Sequence, residues 1–224
     1  MKGFMKHIYS LIAMFAFGFS VLFAQVDTSG TSLSTGSKAL QFEIGSNFQL
    51  QGFEGALISY KKHISANKAR RISVSLSARH SNLHSKVDPY DSNRVFLDGV
   101  ESHVYFQAIL SIQKYTEVKK QVAFYYGYGF VIGFYHQWDD PIPQYVTTSN
   151  EYSIGPVGYV GAEWFIRDNI SLLGEYSVFG RYRFTYAKYT YEYVSPPEKH
   201  KVTTKGHAFS LEQQPVKLGL SFYF

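Results

Sequence analysis

A strict alternation of large apolar side chains with small or polar ones runs through the middle of the chain. Between Val122 and Tyr135, seven positions carry Val, Phe, Tyr or Ile, and the positions between them carry Ala, Gly, Val and Tyr. Because successive side chains of a β-strand point to opposite faces, this run predicts a strand with one large apolar face. The same alternation recurs from residue 39 onward and no window supports a long amphipathic helix, so the chain is predicted to be all-β.

The alternating runs number about eight, and two kinds of connection separate them. The predicted strands are 39–50, 55–64, 70–80, 103–116, 122–137, 152–167, 170–188 and 207–224. Tight turns are predicted at 65–68, 117–121 and 167–169, and longer polar segments at 82–102, 138–150 and 189–205, with a shorter one at 51–55. This pattern predicts an eight-stranded antiparallel transmembrane β-barrel with short periplasmic turns and long extracellular loops, closed because lipid tolerates no unpaired edge.

The amino-acid composition excludes several kinds of functional site. The chain has 19 Phe, 19 Tyr and 2 Trp but no cysteine, which excludes disulfides, thiolate nucleophiles and cysteine-ligated metal. Charged residues make up 17%, against roughly 25% in an ordinary soluble domain. The formal net charge of +5 is small and forms no basic helix or stripe, so no nucleic-acid partner is expected.

The first residues carry the pattern of an export signal. Lys2 and Lys6 precede an apolar run from Ile8 to Ala24, which ends on a small residue. A basic start, an apolar stretch and a small residue are typical of a cleaved secretory signal peptide, predicted here as residues 1–24. Residues 25–37 are rich in Ser, Thr and Gly and are predicted to be a flexible lead-in. The barrel domain is then predicted to span 38–224, in the outer membrane of a bacterium.

The last predicted strand adds a second signal. Its apolar positions alternate with Lys217, Gly219, Ser221 and Tyr223 and are Val216, Leu218, Leu220, Phe222 and Phe224. In this alternating last strand, which ends on an aromatic residue, the sequence resembles the small bacterial outer-membrane β-barrel family. The OmpA transmembrane domain and OmpX are members of that family. The resemblance implies that the terminal aromatic strand is read by the barrel-assembly machinery, and that outer-membrane lipid and lipopolysaccharide surround the barrel. Many proteins of this generic type have no assigned activity.

A soluble, secreted lipocalin-like barrel is the rival fold, because it also alternates over about eight strands. Its apolar face points inward. Here the apolar face carries aromatic side chains that would overfill the interior of an eight-stranded barrel, whereas the other face is rich in Ser, Gly, Gln and Tyr. The membrane barrel is therefore the favoured interpretation.

Side-chain parity places charges of both signs inside the barrel. Every second residue of a strand faces the lumen, and we call these positions lumen parity. Six charged residues of lumen parity lie toward the short-turn end: Glu43, Lys61, Arg71, Glu163, Glu175 and Lys217. Charges persist in a narrow interior only when they are paired and hydrogen-bonded. We therefore predict an ion-pair network, with Glu43 beside both Lys61 and Lys217, that closes the lumen. A gate for small ions is the alternative interpretation.

Three arginines, Arg79, Arg181 and Arg183, share lumen parity but lie near the loop end. They are candidates for binding lipopolysaccharide phosphates or an anionic solute, since Arg makes bidentate contacts with such groups. Solvated charge at a wet rim is the alternative. The long segments 82–102, 138–150 and 189–205 are candidates for binding an extracellular ligand.

No convincing catalytic or metal-binding constellation is present. His207 and Ser210, with Glu212 beyond them, are candidates for a lipid hydrolase, but the two differ in parity and point to opposite faces. A protease of the omptin type would need acids and histidines on opposite rims, for which the candidates are Asp139, Asp140, His80, His84 and His207. No metal and no cofactor is predicted. The predicted function is a structural or surface-interaction role, with a small gated channel second and a barrel enzyme third.

Overall fold

The computed structural model describes residues 33–49, 54–87, 95–119, 121–142, 145–194 and 197–224. These residues form nine β-strands: β1 (Lys38–Gln49), β2 (Glu54–Ser65), β3 (Lys68–Val87), β4 (Val95–Lys119), β5 (Val122–Ile142), β6 (Tyr145–Arg167), β7 (Ile170–Val194), β8 (Pro197–Gln213) and β9 (Lys217–Tyr223). No helix among the described residues is long and apolar enough to cross a membrane. The predicted signal peptide, residues 1–24, lies outside the described residues.

The strands close into one antiparallel ring. Strands β1 to β7 pair consecutively, and β9 pairs with β7 on one side and with β1 on the other. Strand β8 continues along β7 beyond β9, so β8 and β9 together occupy the eighth position of the ring. The prediction of an eight-stranded antiparallel barrel is confirmed.

The two faces of the sheet are sharply different in polarity. On β5, Phe130 is 66% exposed and its neighbour Val131 is fully buried, as the pleat requires. We call the outward band the apolar belt; it comprises residues such as Ile72, Leu110, Phe130, Ile154, Trp164, Leu172, Tyr182, Leu211 and Leu218. The interior holds charged and polar side chains alongside tyrosines. This polarity is the reverse of a lipocalin-like barrel.

The segments predicted as long loops are largely strand. Residues 82–87 of β3 pair with 95–100 of β4, and β5 and β7 continue their ladders to Ile142 and Val194. In the described part of these extensions, side chains of both faces are partly or fully exposed, as at 101–106, 146–150 and 201–206. Without a buried face, the alternation that marks a strand disappears, although the backbone ladder continues.

The last predicted strand, 207–224, is interrupted. Strand β8 ends at Gln213 and β9 begins at Lys217, with Pro215 between them. Proline has no backbone N–H to donate to a ladder, so it marks the break. Strand β1 pairs with β9 only as far as Ile44 and Leu218, and β1 and β2 have 12 residues each. The wall of the barrel is therefore lowest at the β1–β2 corner.

The residues before β1 fold against the short-turn end. The N–H of His63 donates to the carbonyl of Ser37 at 2.8 Å, and the N–H of Gly36 donates to the carbonyl of His63 at 2.9 Å. Gly36 has a φ of 92°, a conformation that glycine adopts without steric cost. Leu33 packs against the buried core. This described end of the predicted lead-in is held by the barrel.

Candidate functional site in the barrel lumen

A buried ion pair crosses the barrel near the short-turn end. Lys61 on β2 and Glu163 on β6 are both fully buried, and Nζ lies 2.9 Å from Oε2. Lys61 also donates to the hydroxyl oxygens of Tyr223 at 2.6 Å and Tyr115 at 3.0 Å. Glu163 Oε1 accepts from Ser171 Oγ at 2.5 Å and from the Tyr223 hydroxyl at 2.8 Å. We call these five residues the lower tier.

A second charged cluster lies next to it in the lumen. The guanidinium of Arg71 on β3 donates to both carboxylate oxygens of Glu175 on β7, at 2.6 and 2.9 Å. The same guanidinium lies 3.4 Å from Glu43 Oε1 and 4.4 Å above the ring of Tyr159. The Tyr125 hydroxyl donates to Glu175 at 3.1 Å. We call these five residues the upper tier.

The six predicted lumen charges are not paired in the way that the sequence predicts. Lys61 does not pair with Glu43 but reaches across to Glu163. The register explains this: Glu43 lies opposite Leu57, and Lys61 lies opposite Ala39, closer to the short-turn end. Inward positions on one strand are two residues apart, so Lys61 is two inward steps from the partner of Glu43.

Lys217 borders the upper tier on its mouth side. It is half-buried and lines a cavity of about 350 Å³ together with Arg79, Arg181, Gln107, Tyr105 and Gln214. In the β7–β9 ladder Lys217 is opposite Glu175. The cavity is therefore a vestibule between the upper tier and the mouth of the barrel.

Four tyrosines that the sequence analysis did not single out complete the tiers: Tyr115, Tyr125, Tyr159 and Tyr223. Each has lumen parity in its alternating strand, which is the signal that could have found them. Their hydroxyls satisfy the buried charges, and their rings fill the volume between them. Buried ions are tolerated only with such additional hydrogen bonds.

Glycines make room for these rings. Gly127 on β5 is directly opposite Tyr159 on β6, and Gly161 is opposite Tyr125. A Cβ atom on Gly127 would overlap the Tyr159 ring, and one on Gly161 would overlap the Tyr125 ring. The two tyrosine–glycine pairs therefore fix which way the rings lie across the lumen.

We expect Gly127→Ala to destabilise the barrel by about 1–3 kcal/mol, the usual cost of overpacking a filled interior. The added methyl group meets the ring of Tyr159, which is held between neighbouring side chains. Gly158→Ala is the matched control, because a Cβ there meets nothing within 4 Å and the position is exposed. The free energies of unfolding in denaturant, measured in one detergent, compare the two; equal values for both variants would contradict the packing argument.

The mouth arginines are partly neutralised by carboxylates. Arg181 donates to Gln107 Oε1 at 2.6 Å, and its Nε lies 3.6 Å from Glu212 Oε2. Arg183 forms ion pairs with Glu212 and, at 3.6 Å, with Glu151. Arg79 is exposed at the cavity. The arrangement leaves Arg79 as the mouth arginine most open to an anionic solute.

The residues considered for catalysis are not assembled into a site. Ser210 donates to Glu212 at 2.8 Å, whereas the exposed ring of His207 stacks on Tyr182 with centroids 6.3 Å apart. Their opposite orientation follows the parity argument. Ser210 is therefore bound to an acid, and His207 contacts an aromatic ring of the apolar belt.

The candidates for an omptin-type site also form hydrogen bonds with residues of the same strand or of the next strand in the sheet. Gln137 donates to Asp139 at 2.6 Å, and His80 Nδ1 lies 2.7 Å from Ser102 Oγ. Burial raises the pKa of Asp139 above its ordinary value, while the Gln137 hydrogen bond acts in the opposite direction. The side chain of His84 is not among the side chains that the structure describes. Over the described part of the chain, His, Asp and Glu form no group of three that could hold a metal ion.

The terminal strand closes the ring. Its apolar positions Leu218, Leu220 and Phe222 face outward and are exposed, as is Val216 just before the strand, and Phe222 packs edge-on to Phe42 of β1 at 6.3 Å. The backbones of Phe224 and Lys38 exchange hydrogen bonds of 2.9 and 3.1 Å. The predicted assembly signal is thus the outer face of the strand that seals the barrel.

Comparison with known proteins supports the fold. No protein-family model and no curated protein matches the sequence. A major outer membrane protein from Thermus thermophilus superimposes with a TM-score of 0.54 and 14% identity, over 84% of this chain and 98% of that chain. AlkL, solved in DMPC lipid bilayers, has a TM-score of 0.41 and 14% identity, over 89% and 94% of the two chains.

Ail, the attachment invasion locus protein of Yersinia pestis, has a TM-score of 0.37 and 11% identity, over 85% of this chain and 99% of that chain. Of these three structures, the first has a TM-score above 0.5, so the comparison of folds rests on it. The chain therefore has the fold of a bacterial outer-membrane β-barrel.

Proposed function

We propose that this protein is a non-enzymatic, integral outer-membrane β-barrel with a closed lumen, whose role is structural or surface-interacting. The observation that carries the proposal is that the two tiers join opposite walls. Lys61 of β2 reaches Glu163 of β6, and Arg71 of β3 reaches Glu175 of β7. Eight strands leave an interior that side chains can fill, and here they fill it with paired charges and tyrosine rings.

The apolar belt supports placement in a membrane. Large apolar side chains such as Phe130 and Leu110 are more than half exposed on the outer wall. An outward band of this kind is stable against the hydrocarbon chains of a lipid bilayer. The short turns would face the periplasm and the long hairpins the exterior, as in other barrels of this architecture. Lipopolysaccharide would then surround the upper wall, and the barrel-assembly machinery would insert the chain through its terminal strand.

The hairpin extensions support a surface-interaction role. Residues 201–206 of β8, which lie beyond the level of Tyr182 in the belt, are exposed at every position, so this part of the strand presents both faces. Strand β8 also pairs with β7 alone among the described strands. A two-sided strand above the belt is a surface that an extracellular partner can contact without disturbing the barrel.

A small gated channel is the second candidate, and the vestibule of about 350 Å³ favours it. Solute entering from the mouth would reach Lys217 and then meet the upper tier. Conduction would require Arg71 to leave Glu175 and Lys61 to leave Glu163. The two tiers together are therefore the gate on this alternative.

Placement in lipid is tested by one substitution in the apolar belt and one beyond it. We expect Phe130→Arg to destabilise the barrel in lipid vesicles by about 2–4 kcal/mol, the cost of Arg or Lys at the lipid-facing midplane of such barrels. Val202→Arg is the matched control, because Val202 is 49% exposed in the two-sided part of β8. Unfolding in guanidinium, followed by tryptophan fluorescence, gives both values. Equal effects would argue against the membrane placement, as would a wild-type protein soluble without detergent.

A further inference from the structure

A patch of positive charge lies on the outer wall at the short-turn end. It is made of five side chains, Lys38, Lys62, Lys68, Arg70 and Lys114, which we call the basic collar. Lys62, Arg70 and Lys114 are exposed. The collar lies on β1 to β4, at the edge of the apolar belt formed there by residues such as Ile72 and Leu110. It therefore sits where headgroups would meet the wall of a membrane-inserted barrel.

The register places like charges directly opposite one another. Lys62 is opposite Lys38 on one side and Arg70 on the other, and Lys68 is opposite Lys114. Like charges at directly opposed positions of a sheet destabilise it. The remaining cross-strand neighbours of Arg70 and Lys114 are apolar or aromatic: Arg70 is opposite Ile112, and Lys114 is opposite Tyr126, with its Nζ 5.9 Å from that ring.

On the outer wall of the described part of the chain, acidic groups at this end lie away from the collar except at its Lys38 edge. Asp168 is in the turn between β6 and β7, on the opposite side of the ring, and the terminal residue Phe224 lies beside Lys38. Glu117, whose side chain is outside the described ones, lies beyond Lys114 on β4. The other half of the same rim carries Phe124, Trp164, Leu172 and Phe222, all exposed. That half carries one described exposed cation, Arg167 at the end of β6, which is next to Asp168 in the sequence. The positive charge of the described rim is thus concentrated on the collar side.

We propose that the basic collar binds the phosphate groups of anionic phospholipids in the leaflet at the short-turn end. This inference rests on the proposed membrane placement. The collar offers several ammonium groups and one guanidinium in a row, flush with the apolar surface on which the acyl chains of the same lipid would lie. A phospholipid satisfies both features at once, whereas free phosphate satisfies only the first. Each cation near an anionic lipid surface strengthens association by about fivefold.

The test uses the full chain in phosphatidylcholine vesicles containing spin-labelled lipid. Spin-labelled phosphatidylcholine shows an immobilised boundary component when the barrel is inserted, so its absence would overturn both the membrane placement and the collar. With insertion established, spin-labelled phosphatidylglycerol should be preferred over phosphatidylcholine in the wild type. In the variant Lys62→Ser/Arg70→Ser/Lys114→Ser we expect that preference to fall by at least about tenfold.

The matched control removes three exposed cations from the opposite end, as Lys188→Ser/Lys201→Ser/Lys205→Ser. It should keep the preference, and Lys62→Arg/Lys114→Arg should keep it as well. No preference in the wild type, or equal loss in the collar and control variants, would overturn the proposal. Complete displacement of the labelled lipid preference by inorganic phosphate at matched ionic strength would also overturn it, because the collar would then be a phosphate-ion site.

Discussion

Replacing Glu163 with alanine is expected to destabilise the barrel by about 3–5 kcal/mol, the usual cost of removing one partner of a buried ion pair. Lys61 would then keep its charge inside the lumen without a carboxylate, at a position that is fully buried. Ser171 and Tyr223 would lose their acceptor as well. Denaturant unfolding in detergent measures the loss directly, and the temperature at which the folded band disappears on unboiled gels reports it independently.

The double variant Lys61→Met/Glu163→Ala separates pairing from packing. It removes both charges, so much of the stability lost in the single variant should return, because the stranded ammonium is gone. Glu151→Ala is the exposed control, since Glu151 pairs with Arg183 at 3.6 Å near the mouth; it should change stability by about 1 kcal/mol or less. If Glu163→Ala were as mild as this control, the lower tier would not carry a buried charge pair.

The double variant Lys61→Ser/Arg71→Ser, which removes the cation of each tier, is expected to convert a closed barrel into a cation-selective conductor. The Arg71 guanidinium bridges Glu175 and Glu43, and the Lys61 ammonium reaches Glu163, so both contacts between opposite walls are lost. Water can enter the vacated volume, and three carboxylates without their cations then line it. Rings of acidic side chains favour cations in narrow pores. Planar-bilayer recordings should show steady openings in Lys61→Ser/Arg71→Ser that are absent from the wild type and from Arg71→Ser, in which the lower tier still closes the lumen.

Arg183→Ser is the matched control for this experiment. Arg183 lies at the mouth and is about one-third exposed, so its removal widens no constriction and should leave the wild-type behaviour unchanged. Folding of each variant is checked by heat-modified gel mobility. Large, steady currents in the wild type that Lys61→Ser/Arg71→Ser does not alter would reject closure by the two tiers. Gated wild-type currents that Glu43→Gln or Lys217→Met changes would favour the channel alternative.

Local patterns of the sequence were sufficient for the strands of the apolar belt. The run from Val122 to Tyr135 forms part of β5 with the predicted faces outward and inward, because alternation depends only on neighbouring residues and on the contrast between an apolar outer face and the lumen. The segments 82–102, 138–150 and 189–205 were assigned to loops and are largely strand. In the described part beyond the belt, side chains on both faces stay partly or fully exposed at 101–106, 146–150 and 201–206, so no contrast in the sequence records the backbone pairing.

Parity likewise identified the lumen charges but not their partners. All of Glu43, Lys61, Arg71, Glu163 and Glu175 are buried in the interior, as their positions in alternating runs predict. Their partners depend on the stagger between strands and on the diameter at which the ring closes, and neither is a property of any single strand. That stagger brings Lys61 to Glu163 across the lumen rather than to Glu43 on the adjoining strand.

Alternation along the chain was enough to identify the strands, the face of each strand that points outward or into the lumen, and the residue types of the lumen. The tertiary structure alone decided that the charges form two tiers, that Tyr159 lies over Gly127, and that five cations align along one side of the rim. The difference comes from the distance along the chain over which each feature is set. Side-chain alternation is fixed by the backbone within two residues, whereas pairing across a barrel requires closure of the whole ring.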